Sequence, residues 1–267
     1  MTEQKNYIFY DLETNGLDYY TTGIMQISLI DIDGNVLLNK YTYPFDGRID
    51  GVAIHGIDQQ KLENNNASTT IDMLVVLKKI IREKYGRQCI YLVAYNNFGY
   101  DQIILENNFK ICGIKMPQNW YFTDLFPIVK ELYPTIKPNF KLKTVFELLC
   151  GVDENINFHC SLGDTTCLFR LFKLLENNKS IFEKYTRSAL SNSAIFDNEI
   201  YLLNGYVKSM NFEEKGINTI GSMFNIYRNC INNDDFNFIL KTRYNIYSDY
   251  YIKNITKSLE SIYHFHK

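Results

Sequence analysis

Apolar runs closed by turn signals dominate the first half of the chain. Tyr7-Ile8-Phe9-Tyr10-Asp11-Leu12-Glu13 is strand-forming up to its two acids, and Asn15-Gly16 ends it. Residues 23–33 alternate in part through Met25, Ile27, Leu29 and Ile30, then turn at Asp33-Gly34-Asn35 into a third strand over 36–43. The pattern predicts an antiparallel meander with the acid-bearing strand first. Residues 44–67, around Gly47, Gly51 and Gly56, read as loop. From Ser68, the expected N-cap, a helix runs to Tyr85 with Gly86 just past its end. Its apolar positions Ile71, Met73, Leu74, Val75, Leu77, Ile80 and Ile81 nearly encircle the first half, which predicts deep packing on the sheet.

Residues 89–95 suit a buried parallel strand, 100–109 a helix with Asp101 in its first turn, and 121–123 a last short strand. Helices follow over 124–132, 141–149 and 161–175, the last with Leu168, Leu171, Phe172 and Leu175 as its apolar stripe. Strands first and then β-α-β-α specify an α/β fold: a five-stranded mixed sheet, antiparallel then parallel, flanked by helices. Beyond residue 176 the chain reads as helical, most clearly where Phe236, Leu240, Tyr244, Tyr247, Tyr251, Ile255, Leu259 and Ile262 recur at three- and four-residue steps. An aromatic stripe at that spacing is read as packing rather than as a stacking surface for bases. The expected organisation is one domain over 1–176 and a helical C-terminal extension of unassigned role over 177–267.

Composition narrows the classes. Of 267 residues 46% are apolar, enough for a large core. No stretch approaches the ~20 apolar residues of a membrane span, and the first strand reaches its Asp too early for a signal peptide. The expectation is an intracellular, cytoplasmic protein, not secreted and without a membrane partner. The six cysteines show no Cys-x-x-Cys pairing, which favours reduced and mostly buried thiols over disulfides or zinc. A net charge of −2 advertises no broad basic surface, although divalent cations held by clustered acids would reverse the local sign. The run Lys137, Lys141, Lys143 is read first as a solvated helix face and second as a phosphate contact.

Asp11 and Glu13 are two residues apart, so they share a face of the first strand. That strand is apolar on both faces and so belongs in the middle of the sheet, where paired acids repel each other unless a cation lies between them. Asp101 and Asp164 each open a helix. Taken singly, both have structural explanations: the helix dipole for Asp101, and for Asp164 the capping-box pattern Ser161-x-x-Asp164. Together they bring four carboxylates from three distant segments toward one cleft.

The sequence resembles the DnaQ-like 3′–5′ exonucleases of the DEDD group, in the version that uses histidine. The first motif stands here as Phe9-Tyr10-Asp11-Leu12-Glu13-Thr14-Asn15-Gly16, the second as Asn97-Phe98-Gly99-Tyr100-Asp101 with Tyr100 where the family more often has Phe, and the third as His159-Cys160-Ser161-Leu162-Gly163-Asp164. Ile54-His55-Gly56-Ile57 and Phe122-Thr123-Asp124-Leu125 are lesser matches, and the likeness covers about residues 6–176. It implies an RNase H-like fold and two divalent cations, Mg²⁺ or Mn²⁺, held by Asp11, Glu13, Asp101 and Asp164. It also implies His159 as the base that takes the proton from the attacking water. Substrate contacts implied by analogy are Thr14, Asn15, Gly16, Leu17 and Asn97 around the terminal nucleotide, with His55 either a sugar contact or a hydrogen-bonded loop residue. The implied partner is the 3′ end of single-stranded DNA or RNA; oligomeric state, including a dimer or a polymerase partner, stays open. The rival expectation is a catalytically silent nuclease fold that binds nucleic acid or protein through its C-terminal extension.

Overall fold

The computed structural model describes residues 5–18, 22–189, 226–227, 229–230, 232–244, 252 and 256. The chain divides into two compact units, one of residues 1–16 and 22–189, the other of residues 17–21 and 190–267.

The first unit is built on a sheet in the order β4-β3-β2-β1-β5-β6-β7. Its strands are β1 (Asn6–Thr14), β2 (Ile24–Asp31), β3 (Val36–Tyr43), β4 (Ser68–Thr69), β5 (Ile90–Ala94), β6 (Trp120–Asp124) and β7 (Thr186–Ser188). β1, β2 and β3 pair antiparallel, whereas β1, β5 and β6 run parallel with Phe9 opposite Val93 and Ala94 opposite Asp124. The carboxyl ends of β1, β5 and β6 therefore lie on one edge. β1 sits where the antiparallel and parallel halves meet, and crevices at such switch points are where open α/β sheets hold ligands.

The helices are α1 (Val52–His55), α2 (Gln59–Asn64), α3 (Thr70–Tyr85), α4 (Asp101–Ile111), α5 (Leu125–Leu132), α6 (Leu142–Cys150), α7 (Ser161–Leu175) and α8 (Lys179–Lys184). The α7 stripe is buried as its spacing predicts, and it covers the face of β1 that carries the acids. The Phe172 ring lies 4.7 Å from that of Tyr7 and 4.9 Å from that of Phe9, and Phe169 lies 5.6 Å from Phe9. Burying each such ring contributes about 2 kcal/mol relative to leaving it in water. Tyr10, on the opposite face, packs edge-on to Phe122 at 6.5 Å. Aromatic packing thus grips β1 from both sides, and this rigidity fixes the direction in which Asp11 and Glu13 point.

Several expectations need correction. The five strands read from periodicity are all present, but β4 and β7 are added; strands of two and three residues carry no period to read. The segment expected as loop over 44–67 holds α1 and α2, the latter started by Asp58, whose side chain accepts from the backbone N–H of Lys61. Ser68 is in β4, and the N-cap of α3 is Thr69, which accepts from Asp72 N–H. Ile71 and Val75 are each 52% exposed, so the fully buried apolar face of α3 narrows to Met73, Leu74, Leu77 and Ile81. The six cysteines are free as expected, yet only Cys167 is buried.

In the second unit a helix spans Asn233–Tyr244, and Asn232 accepts from Asp235 N–H at its start. Phe236 and Leu240 are buried there, in keeping with the packing expected of the stripe. Tyr247, Tyr251, Ile255, Leu259 and Ile262 lie outside the described residues.

Candidate active site

Carboxylate oxygens of Asp11, Glu13 and Asp164 lie within 4.8 Å of one another. The strand period supplies the first two. The third arrives because the first turn of α7 is tied to β1: the hydroxyl of Ser161 donates to the backbone carbonyl of Asp11 at 2.6 Å. The Asp164 carboxylate in turn accepts from the His159 backbone N–H at 3.2 Å. The Ser161-x-x-Asp164 pattern is therefore no capping box. Cys160 is the N-cap without a side-chain bond, Ser161 serves β1, and Asp164 reaches back to position 159.

Asp101 joins from the other side. It is 5% exposed and close enough to Asp11 for its charge to raise the Asp11 carboxyl. The turn leading to it, Asn97–Gly99, is held by Asp124, which accepts from Phe98 N–H at 3.0 Å while its second oxygen caps α5 at Phe126 N–H, 2.9 Å away. Asp124 is thus a positioning residue: it fixes the turn that aims Asp101. His159 stands with φ +60°, a left-handed conformation uncommon for a side chain of its size, and its imidazole is exposed beside Asp164.

The electrostatics follow from packing like charges together. Burial first, then the carboxylates of Asp164, Asp101 and Glu13, hold the Asp11 carboxyl well above the usual range. Burial first and then Asp164 push Glu13 up to about 7, while Lys61 offsets part of the effect. Burial also raises Asp164 to about 6, against the pull of the His159 backbone bond and of the imidazole. Asp101 is raised well above normal by burial, Asp124 and Glu13. Such a set suits hard cations, which take oxygen ligands and remove the repulsion that ionisation creates.

The expected substrate contacts fare differently. Thr14 and Gly16 lie at the end of β1, where the Tyr100 hydroxyl donates to the Gly16 carbonyl at 2.5 Å and also meets the Thr14 hydroxyl. This joins the first motif to the second through an oxygen that a phenylalanine would lack. Asn15 is 1% exposed and spends its side chain inside the protein: it donates to Asp46 and to the Arg48 carbonyl and accepts from Gly23 N–H. His55 ends α1, and both of its ring nitrogens are hydrogen-bonded to the backbone. Its Nδ1 accepts from Ile57 N–H at 3.0 Å and Nε2 donates to the Asp50 carbonyl at 3.0 Å, so the ring is neutral, in line with a pKa lowered by burial. Gly51 is required beside it: φ is +78°, and a Cβ there would meet His55 Nε2 at 2.8 Å. Leu17 belongs to the second unit and is 64% exposed.

Asn97, expected near the terminal nucleotide, is fully buried. Its amide donates to the carbonyls of Leu92 and Thr123, and its oxygen accepts from the Tyr10 hydroxyl at 2.5 Å. Replacing Asn97 by Leu would strand all three partners in the core. The expected loss is about 2–4 kcal/mol of stability, read from urea denaturation. An unchanged midpoint would mean that this network holds nothing together.

A family model described as Exonuclease (RNase T) matches residues 8–172. The chain is 27% identical over 176 residues to the chloroplastic/mitochondrial exonuclease DPD1 of Arabidopsis thaliana, covering 62% of this chain and 54% of that one, so it spans about half the length of this curated relative. Among solved structures it resembles Escherichia coli exonuclease I in complex with a dT13 oligonucleotide (TM-score 0.55, 19% identity) and with a dA16 oligonucleotide (TM-score 0.53, 18% identity). Each likeness covers 68% of this chain and 43% of the other, and shows a shared fold. With most of the sheet, α7 and all four acids inside the matched region, the chain belongs to the RNase T exonuclease family.

Proposed function

We propose that the chain is a metal-dependent 3′–5′ exonuclease that hydrolyses the terminal phosphodiester of single-stranded DNA or RNA and releases nucleoside 5′-monophosphates. The observation that carries this is the convergence of Asp11, Glu13 and Asp164, with Asp101 near enough to act on Asp11, in a half-buried cluster where like charges crowd. Asp11, Glu13 and Asp164 would hold one divalent cation, and Asp11 and Asp101 a second. Mg²⁺ or Mn²⁺ bound there supplies neutralisation of the acids, activation of water and stabilisation of the leaving oxygen. His159, exposed at the rim, accepts the proton of the attacking water, and Asp164 fixes the backbone that carries it. The relatives solved with dA16 and dT13 favour a single strand as substrate. Residues 1–176 would form the catalytic domain and 177–267 an extension with a separate role. The six free thiols favour a reducing, intracellular setting, and among the described residues no helix is long and apolar enough to cross a membrane. The test is incubation of a 5′-labelled single strand with the protein and Mn²⁺. A ladder shortening from the 3′ end is expected; binding without cleavage would leave a silent module instead.

A second measurement addresses the cations. For carboxyls whose folded pKa lies above the unfolded ~4, stability is fully present below pH ~4 and is lost as pH rises through the folded values. Those values are about 7 for Glu13 and about 6 for Asp164. In chelator the cluster should therefore lower the melting temperature between pH 5 and 8. Mn²⁺ at about a hundredfold over its Kd should return roughly 2.7 kcal/mol, more at pH 8 than at pH 5. A melting curve indifferent to Mn²⁺ at both pH values would remove the metal site.

A further inference from the structure

The catalytic acids lie on the edge of the sheet where the parallel strands end. On the opposite edge, where β5 and β6 begin, the second half of α3, the turn after it and the loop before β6 enclose a groove of about 770 Å³. Lys78, Lys79, Arg82, Arg87 and Lys115 line it, and no carboxylate does. Arg82, Arg87 and Lys115 are exposed, and among the described residues none of them has an ion-pair partner. Lys79 reaches Glu83 only at 3.9 Å, and the Lys78 ammonium donates to the Lys115 carbonyl at 2.8 Å, which fixes the loop that carries the fifth cation. In a chain of net charge −2 this is a local concentration of positive charge, and its self-repulsion works against folding. Trp120 at the base is 2% exposed and offers no face for stacking. Recognition in the groove would therefore run through charge and backbone phosphates rather than through bases.

We propose that this groove binds the sugar-phosphate backbone of a nucleic acid at a distance from the hydrolytic cleft, an inference that rests on the exonuclease function above. β5 alone spans five residues, so roughly 16 Å or more separates the two edges of the sheet. The acid cluster repels a polyanion, whereas the groove attracts one; a strand long enough to engage both gains from the link, and a short one does not. Charge complementarity, with no accessible aromatic ring among the lining residues, favours a phosphate backbone over an acidic protein segment.

The test combines Arg82→Gln, Arg87→Gln and Lys115→Gln, all at exposed positions, with Arg87→Glu alone as a second variant and melting curves to verify folding. Binding is read in chelator, without turnover, by anisotropy of a labelled strand of about 30 nucleotides across a salt series, beside the rate on a tetranucleotide in Mn²⁺. The triple variant should bind the long strand at least about tenfold more weakly with a salt slope shallower by about 2, and the tetranucleotide rate should not change. Unchanged affinity and slope in both variants would overturn the proposal. So would a parental groove that binds polyglutamate and not the strand, which would assign it to an acidic protein. If no strand is hydrolysed at all, the exonuclease function fails, while the binding arm still decides the groove.

Discussion

Replacing Asp11 by Asn should reduce nucleotide release by on the order of 10³-fold and at the same time make the protein more resistant to heat in chelator. Both effects come from one cause. Asp11 stands among Asp164, Asp101 and Glu13, and the crowd holds its carboxyl well above the ordinary range. In the proposed mechanism activity needs those charges present together, because the crowded negative charge that destabilises the bare fold is also what would draw the cations. The amide keeps the shape and removes one charge, so it relieves the cation-free protein and disables the loaded one. A loss of 10³ corresponds to about 4 kcal/mol of transition-state stabilisation. Rates of 3′-end shortening together with melting curves in chelator provide the readout. If the Asp11→Asn protein cuts at the parental rate, the cluster is not where the chemistry occurs. If it melts lower in chelator, the electrostatic account of the site is wrong even where activity is lost.

The central strand was legible in the sequence because β1 is apolar on both faces and ends in acids at spacing two, and the structure places it between β2 and β5. The α7 stripe was legible because fifteen residues give four turns of periodicity. What was missed has short range or long range but no period. The strand β7 is three residues long and pairs antiparallel with β6 over a separation of some sixty positions. Ser161 reads locally as a cap, yet its hydroxyl goes to the Asp11 carbonyl 150 residues away. Asn97 and Asn15 match substrate-contact positions by motif, and their burial is decided by partners that no local pattern records, in β5 and β6 for Asn97 and in the segment after β3 for Asn15. The basic groove went unread for the same reason: Arg82 and Arg87 look like the ordinary basic end of a helix, and Lys115 joins them through the pairing of β5 with β6 and the bond from Lys78. The run that did stand out, Lys137, Lys141 and Lys143, is less available than its sequence suggests, since Lys143 lies 3.8 Å from Glu147 and over the Phe158 ring.

His159→Gly should lower turnover about 10²-fold, with partial recovery when imidazole is added to the solution. The choice of glycine matters. With φ at +60°, alanine would combine loss of the base with backbone strain of about 1–2 kcal/mol, and the two effects would be confounded. Glycine accepts that conformation and retains the backbone N–H that Asp164 accepts, so only the imidazole is removed. The exposed rim position leaves room for a free imidazole to take its place. His159→Asn is the companion variant, since asparagine also tolerates the left-handed region yet brings no base. Loss in both variants, with rescue in the glycine variant alone, would identify the group that accepts the proton. Parental turnover in either would show that His159 sits beside the cluster without taking part, and the proton acceptor would have to be sought elsewhere around the same acids.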